Sequence, residues 1–237
     1  MDISPLIISI KTSVSATFIT FILGILIAYK MAWYKGKYEN IIDTLLTLPL
    51  ILPPTVVGFF LLIIIGKNGP VGILLKNFDI NLIFTWTATV ISATVVSFPI
   101  MYRTLKGSFE QIDNNMVYAA RTLGLSEKQI FYKIVIPLAY PGIIGAVVLS
   151  FARALGEFGA TLMIAGNIPG KTQTMPIAIF FEAEGGNMNQ AMLWVMIMIG
   201  LSSIVIVVSN CISNLSLENL ERGIKDVFIY RYRKKVK

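Results

Sequence analysis

The chain has no histidine, a single cysteine (Cys211), and charge on only 14% of its 237 residues. One cysteine excludes an intramolecular disulfide, and with no histidine no Cys/His metal cluster is recognisable. No nucleophile–base pair is apparent either, so nothing here supports an enzyme or a resident cofactor. Soluble domains carry roughly a quarter charged residues. A chain this poor in charge, 55% hydrophobic with a mean hydropathy of +0.74, is too apolar to clothe a solvated surface. Cys211 lies in an apolar run and fits a small residue facing lipid or a neighbouring helix. One stretch imitates a catalytic motif: Ala165–Thr172, AGNIPGKT, ends in Gly170–Lys171–Thr172 like a phosphate-binding loop. Ala165 replaces that loop's first glycine, and Pro176 interrupts the helix that would have to follow. No downstream apolar strand ends in a magnesium-binding aspartate.

What the chain has instead is five long apolar stretches: Pro5–Met31, Ile41–Ile65, Leu82–Leu105, Ile134–Ala154 and Ala191–Ser213. Each can cross a hydrocarbon core of about 30 Å at ~1.5 Å per residue. The expected fold is therefore an all-α integral membrane bundle of about five transmembrane helices, forming one membrane domain over 1–237. The shorter apolar piece Phe158–Ala165 fits a re-entrant segment or an outer continuation of the fourth span. The first stretch is not a cleaved signal peptide, having no basic region ahead of it and no small-residue cleavage site behind it.

Charge sets the orientation, because cytoplasmic loops retain lysine and arginine. Fifteen basic residues fall after the first span, after the third span and in the C-terminal tail, whereas the opposite loops hold only Lys67, Lys76 and Lys171. The N-terminus is expected outside and the C-terminus inside. The net charge of +7 then needs no nucleic acid; the positive-inside bias and attraction to anionic lipid suffice. The loop at Lys171 falls outside, away from any ATP pool.

The inner connection between the third and fourth spans, EQIDNNMVYAARTLGLSEKQIFYKIVIPLAYPG, carries the most information. Asp113 or Asn114 suits a helix N-cap, a short helix covers Asn115–Leu123, and Gly124 suits the left-handed position that ends it. Met116, Ala119, Ala120 and Leu123 fall on one apolar stripe. Ser126 with Gln129 forms a capping box that starts a second helix. The simplest alternative is a helix lying on the membrane surface. The small Ala119 and Ala120 favour close approach to a protein partner instead, because lipid-anchoring helices use bulky residues.

This segment resembles the cytoplasmic signature of ABC-transporter importer permeases: Glu-Ala-Ala, three residues, Gly, nine residues, Ile-x-Leu-Pro. Ala119, Ala120, Gly124, Ile134 and Pro137 match at that spacing. Tyr118 stands in place of the glutamate and Ile136 in place of the leucine. The resemblance implies a type I importer fold with a short coupling helix that docks in a groove on a separate ABC ATPase subunit. Docking would use Met116, Tyr118, Ala119, Ala120, Arg121, Leu123, Gly124, Ile134 and Pro137. It also implies a homodimer, supplied by an external substrate-binding protein, in the cytoplasmic membrane of a prokaryote. The segment FARALGEFGATLMIAGNIPGKTQTMPIAIF is similar to permeases for molybdate and tungstate. Sulfate and thiosulfate permeases share its Arg-Ala-x-Gly-Glu portion. The permease domain is expected over about 9–210, with 211–237 a basic cytoplasmic tail that could anchor on the lipid surface. A secondary transporter or channel is the alternative from another class.

Four residues are candidates for the pathway and its gate. Arg153 and Glu157, an i, i+4 pair at the outer end of the fourth span, could ease passage of a divalent anion; the simpler account is a structural ion pair. Pro53 and Pro54, with Pro49, break the backbone ladder of the second span, as a gate or as a static bend. Ser9, Ser13 and Thr17 form a small-residue stripe that could pack across the dimer.

Overall fold

The computed structural model describes residues 2–208 and Cys211, and the regular structure among them is helical. In chain order the helices are α1 Ser4–Trp33, α2 Glu39–Ile51, α3 Pro54–Ile65, α4 Pro70–Lys76, α5 Trp86–Glu110 and α6 Asn114–Thr122. They continue with α7 Glu127–Leu155, α8 Gly159–Ala165, α9 Met175–Glu184 and α10 Met188–Val208. Four of them, α1, α5, α7 and α10, are long and apolar enough to cross a membrane, and the bent pair α2 and α3 makes five if it is counted as one broken span. Below, "inner" denotes the end of the bundle that carries α6. The expected tail lies outside the described residues, apart from Cys211.

The tightest pairing joins α1 to α5. Along the middle of α1 the buried face is made of small residues, Ser9, Thr12, Ser13, Ala16, Thr17, Thr20, Gly24 and Ala28, with Ile8 and Met31 buried at its ends. In lipid, where apolar surface gives helices little reason to associate, such residues let backbones approach and bond. The Thr12 and Thr89 hydroxyls meet at 2.8 Å, and the Trp86 indole N–H donates to Thr12 Oγ1 at 3.0 Å. The stripe Ser9–Ser13–Thr17 is therefore buried within this chain rather than offered to a second copy. Its first member, Ser9 Oγ, accepts from the Met175 backbone N–H at 2.7 Å.

The second apolar stretch is not one helix. It divides at Leu52–Pro53, and the axes of α2 and α3 stand 113° apart. Consecutive prolines explain the break. A residue before proline is driven out of the helical region, and both Leu52 (ψ 142°) and Pro53 (ψ 137°) are extended. Pro49 alone does not end α2. Beyond the break α3 packs against α8, so closely that a Cβ on Gly58 would lie 2.8 Å from the Ala160 Cα.

The fourth span is longer than expected. The helix started by Ser126 runs without interruption into the membrane stretch, and α7 has 29 residues. A wide turn at Phe131–Val135, in which the Ile136 N–H reaches back to Phe131 O, immediately precedes Pro137. That i→i−5 geometry accommodates a proline whose ring would clash with an ordinary i−4 carbonyl.

The segment after α7 continues outward. Ser150 Oγ bonds Ser97 O, Thr161 Oγ1 meets Ser92 Oγ, and Ile164 O accepts from the Phe84 N–H. These contacts climb α5 toward its outer end, so α8 extends the fourth span rather than dipping back. The last span, α10, touches the bundle mainly through Trp194, which packs with Leu155, Met175 and Ala178; Met192, Met196, Ile199 and Ile204 are exposed.

Candidate functional site

At the inner end the chain leaves α5, forms α6 and re-enters through α7. Every turn of this segment is fixed by a local bond. Asp113 caps α6, its Oδ1 accepting from the Asn115 N–H at 2.9 Å. The helix spans Asn114–Thr122, one residue earlier at each end than expected. Gly124 follows at φ +81°. Its N–H donates to Arg121 O at 2.9 Å and the Leu125 N–H to Ala120 O at 3.1 Å, which is the paired bonding of a Schellman motif. The Ser126–Gln129 capping box is formed on both sides. Across the turn, Arg121 grips Glu127 with two nitrogens, at 2.7 and 3.2 Å.

The apolar residues of α6 divide between two faces. Val117 and Ala120 are buried, at 3% and 4% exposure. They rest on an inner core built from Met31, Leu105, Phe109, Ile112 and Ile130. Aromatic rings stiffen this platform: Tyr29 meets Phe131 at 4.7 Å and Trp33 at 4.9 Å between centroids, and the Trp33 N–H donates to Asn114 Oδ1 at 3.3 Å. The seat of α6 therefore takes residues from α1, α5 and α7 together. On the other face Met116, Tyr118 and Leu123 stand 50%, 57% and 80% exposed, with Ala119 also open. The expected stripe is thus split, because Ala120 turns inward while Met116, Ala119 and Leu123 turn outward. Val117, absent from that stripe, anchors α6 together with Ala120; its place three residues before Ala120 was the available signal.

The other expected docking residues separate by role. Arg121 is exposed and fixes the turn, Gly124 makes it, Ile134 packs against the inner core, and Pro137 is exposed on α7 behind the wide turn. A short, rigidly seated helix that presents Met116, Ala119 and Leu123 outward can enter a groove on a partner, since small and flexible apolar side chains adapt to such a surface.

At the outer end Arg153 and Glu157 do pair, at 2.9 Å. The Glu157 side chain is 1% exposed and that of Arg153 27%. Glu157 Oε1 also accepts from the Ala160 N–H at 2.8 Å, satisfying a free donor in the first turn of α8. One buried carboxylate therefore holds the end of α7 to the start of α8. Pro53 and Pro54 lie at the elbow, close enough to the same α8 that a Cβ on Gly159 would lie 3.1 Å from Pro54 and 3.3 Å from Thr55.

The loop that imitates a phosphate cradle uses its own polar groups internally. Thr172 Oγ1 is buried, accepts from the Ile168 N–H at 3.1 Å and contacts Gly166 O at 3.2 Å. No helix begins until Met175.

Residues 20–226 match the family described as "Binding-protein-dependent transport system inner membrane component". The molybdenum transport system permease protein ModB of Escherichia coli K12 is 38% identical over 218 residues, covering 91% of this chain and 95% of that protein. Among solved structures, the MetNI methionine ABC transporter in an inward-facing conformation has a similar fold, with a TM-score of 0.71 at 14% identity over 90% of this chain and 94% of that one. A bacterial alginate ABC transporter, solved in complex with a periplasmic protein carrying an alginate pentasaccharide, gives a TM-score of 0.66 at 16% identity over 88% and 78% of the two chains.

Proposed function

This chain belongs to the binding-protein-dependent transport system inner membrane component family, and we propose that it is the membrane-spanning permease subunit of an ATP-driven importer for molybdate, with tungstate a second substrate of the same charge and shape. It is a multi-pass protein of the cytoplasmic membrane. The observation that carries the substrate is the near-full-length likeness to a permease named for molybdenum transport. The fold it shares with ABC-importer permeases carries the mode of transport.

ATP is hydrolysed elsewhere, on a separate ABC ATPase subunit. The exposed face of α6, Met116, Tyr118, Ala119 and Leu123, enters a groove on that subunit, with Arg121 and Gly124 holding the shape. Because Val117 and Ala120 seat α6 on residues from α1, α5 and α7, movement of the ATPase reaches three spans at once. Two copies of the permease enclose the pathway, and the apolar surface left open on α10 is available to the second copy and to lipid. An external binding protein delivers the anion. Arg153 is the candidate cation for its passage, Glu157 its counter-charge, and the Pro53–Pro54 elbow the candidate gate; each also has the structural contacts described above.

The test is uptake of labelled molybdate at low concentration in cells that lack this permease, with sulfate as control. Loss of molybdate uptake alone is expected. Persistent molybdate uptake with collapsed sulfate uptake would assign the permease to sulfate.

A further inference from the structure

Asp43 is the sole acidic residue in the stretch Ile41–Ile65, and it ties α2 to α5. Its Oδ1 accepts a hydrogen bond from the Tyr102 hydroxyl and another from Lys106 Nζ at 2.9 Å. Tyr102 is fully buried, and the Lys106 side chain is 11% exposed. Lys106 also stands 3.7 Å from Glu110 Oε1, in the last turn of α5. The apolar packing of α2 is thin: Thr47 is its one buried residue and Leu46 packs against the inner core, while Ile41, Leu45, Leu48, Leu50 and Ile51 are exposed. The Asp43 side chain is 26% exposed, in the second turn of α2, so the pair is only partly desolvated; losing either partner still leaves the other charge half-buried without its counter-charge. Directional bonds at Asp43 therefore add to the contacts of Leu46 and Thr47 in joining α2 to α5.

The position of this tie matters more than its strength. On one side, Glu110 leads through Gln111 and Ile112 to Asp113, the cap of α6. On the other, α2 ends at the Leu52–Pro53 elbow, beyond which α3 packs on α8. We infer that Asp43, acting through Lys106 and Tyr102, is a positioning residue that carries movement of α6 and the inner end of α5 into the α2 arm and so to the elbow. This rests on the proposed importer function. Without the tie, α6 still docks and the ATPases still turn over, but α5 moves without taking α2 along, and hydrolysis separates from transport.

The experiment uses proteoliposomes holding the permease, its ATPase subunits and the binding protein, and reads molybdate taken up per ATP hydrolysed. Asp43→Asn is expected to assemble and to stimulate hydrolysis normally while uptake per ATP falls by roughly 5- to 150-fold, the range of ordinary coupling between sites. Asp43→Glu, which keeps the charge, should recover most of that loss. An unchanged ratio in Asp43→Asn overturns the inference, as does a lowered unfolding temperature with the ratio intact. Should Asp43→Asn fail to assemble, Tyr102→Phe, which removes one donor and leaves the ion pair, must itself lower the ratio; an unaltered ratio there overturns the inference equally. Absence of ATP-driven uptake with the unaltered chain would count against the importer function instead.

Discussion

Replacing Gly124 isolates the shape of the docking turn from every other contribution. The residue sits at φ +81°, and a Cβ built there meets nothing within 4 Å. Substitution therefore creates no clash, and the whole effect comes from holding an L-residue in the left-handed region. That costs about 1–2 kcal/mol for most residues, less for asparagine, and more for a β-branched side chain. If α6 docks only with its turn formed, the apparent affinity for the ATPase subunit falls with the fraction of permease in that shape. About 1.4 kcal/mol corresponds to a tenfold loss. The series should run Gly124, Gly124→Asn, Gly124→Ala, Gly124→Val in order of weakening ATPase binding, measured by titrating ATPase subunits onto purified permease in nanodiscs. Thermal unfolding should change far less, because the turn is exposed. A valine variant that binds as tightly as the original, or an asparagine variant no better than valine, would refute the reasoning.

Other consequences can be checked independently. In a Cys211→Ser background, a cysteine at position 171 should react with an impermeant thiol reagent added outside, and one at position 121 should not; the reverse pattern inverts the orientation. Gly58→Ala should lower the unfolding temperature, since overpacking against the Ala160 backbone costs about 1–3 kcal/mol, whereas Gly145→Ala, with open space around it, should be neutral or slightly stabilising. Leu123→Asp, at a position 80% exposed, should leave folding intact and abolish ATPase docking. Val117→Asp, 3% exposed, should instead damage the fold of the inner end, because it buries an unpaired charge.

The inner segment was legible because its rules are short-range. A cap at Asp113, a left-handed glycine at 124 and a box of Ser126 with Gln129 each follow from residues a few positions apart, and each is formed. The direction of α6 was not legible. Ala120 and Val117 turn inward because Phe109, Ile112 and Ile130 lie beneath them; their i, i+3 spacing marks a shared face, but not that this face is the one covered. Prolines announced trouble in the second span. That it breaks by 113° rather than bending follows from two of them in succession, forcing Leu52 and Pro53 both into extended backbone. Asp43 was not read from the sequence at all: its partners Tyr102 and Lys106 lie 59 and 63 residues away, so only the fold gives it a role. The small stripe on α1 was read as packing with the second copy as one possible neighbour; it packs within the chain, since a small face says that something approaches closely and not what approaches.

The central claim is that this permease moves molybdate only when a docked ATPase drives it. Labelled molybdate uptake into proteoliposomes containing the permease, its ATPase subunits and the binding protein tests this directly, with ATP inside and all ion gradients collapsed by ionophores. Uptake that depends on ATP, survives loss of the gradients and disappears with Leu123→Asp is the predicted result. Uptake that proceeds without ATP and follows an imposed ion gradient would contradict it.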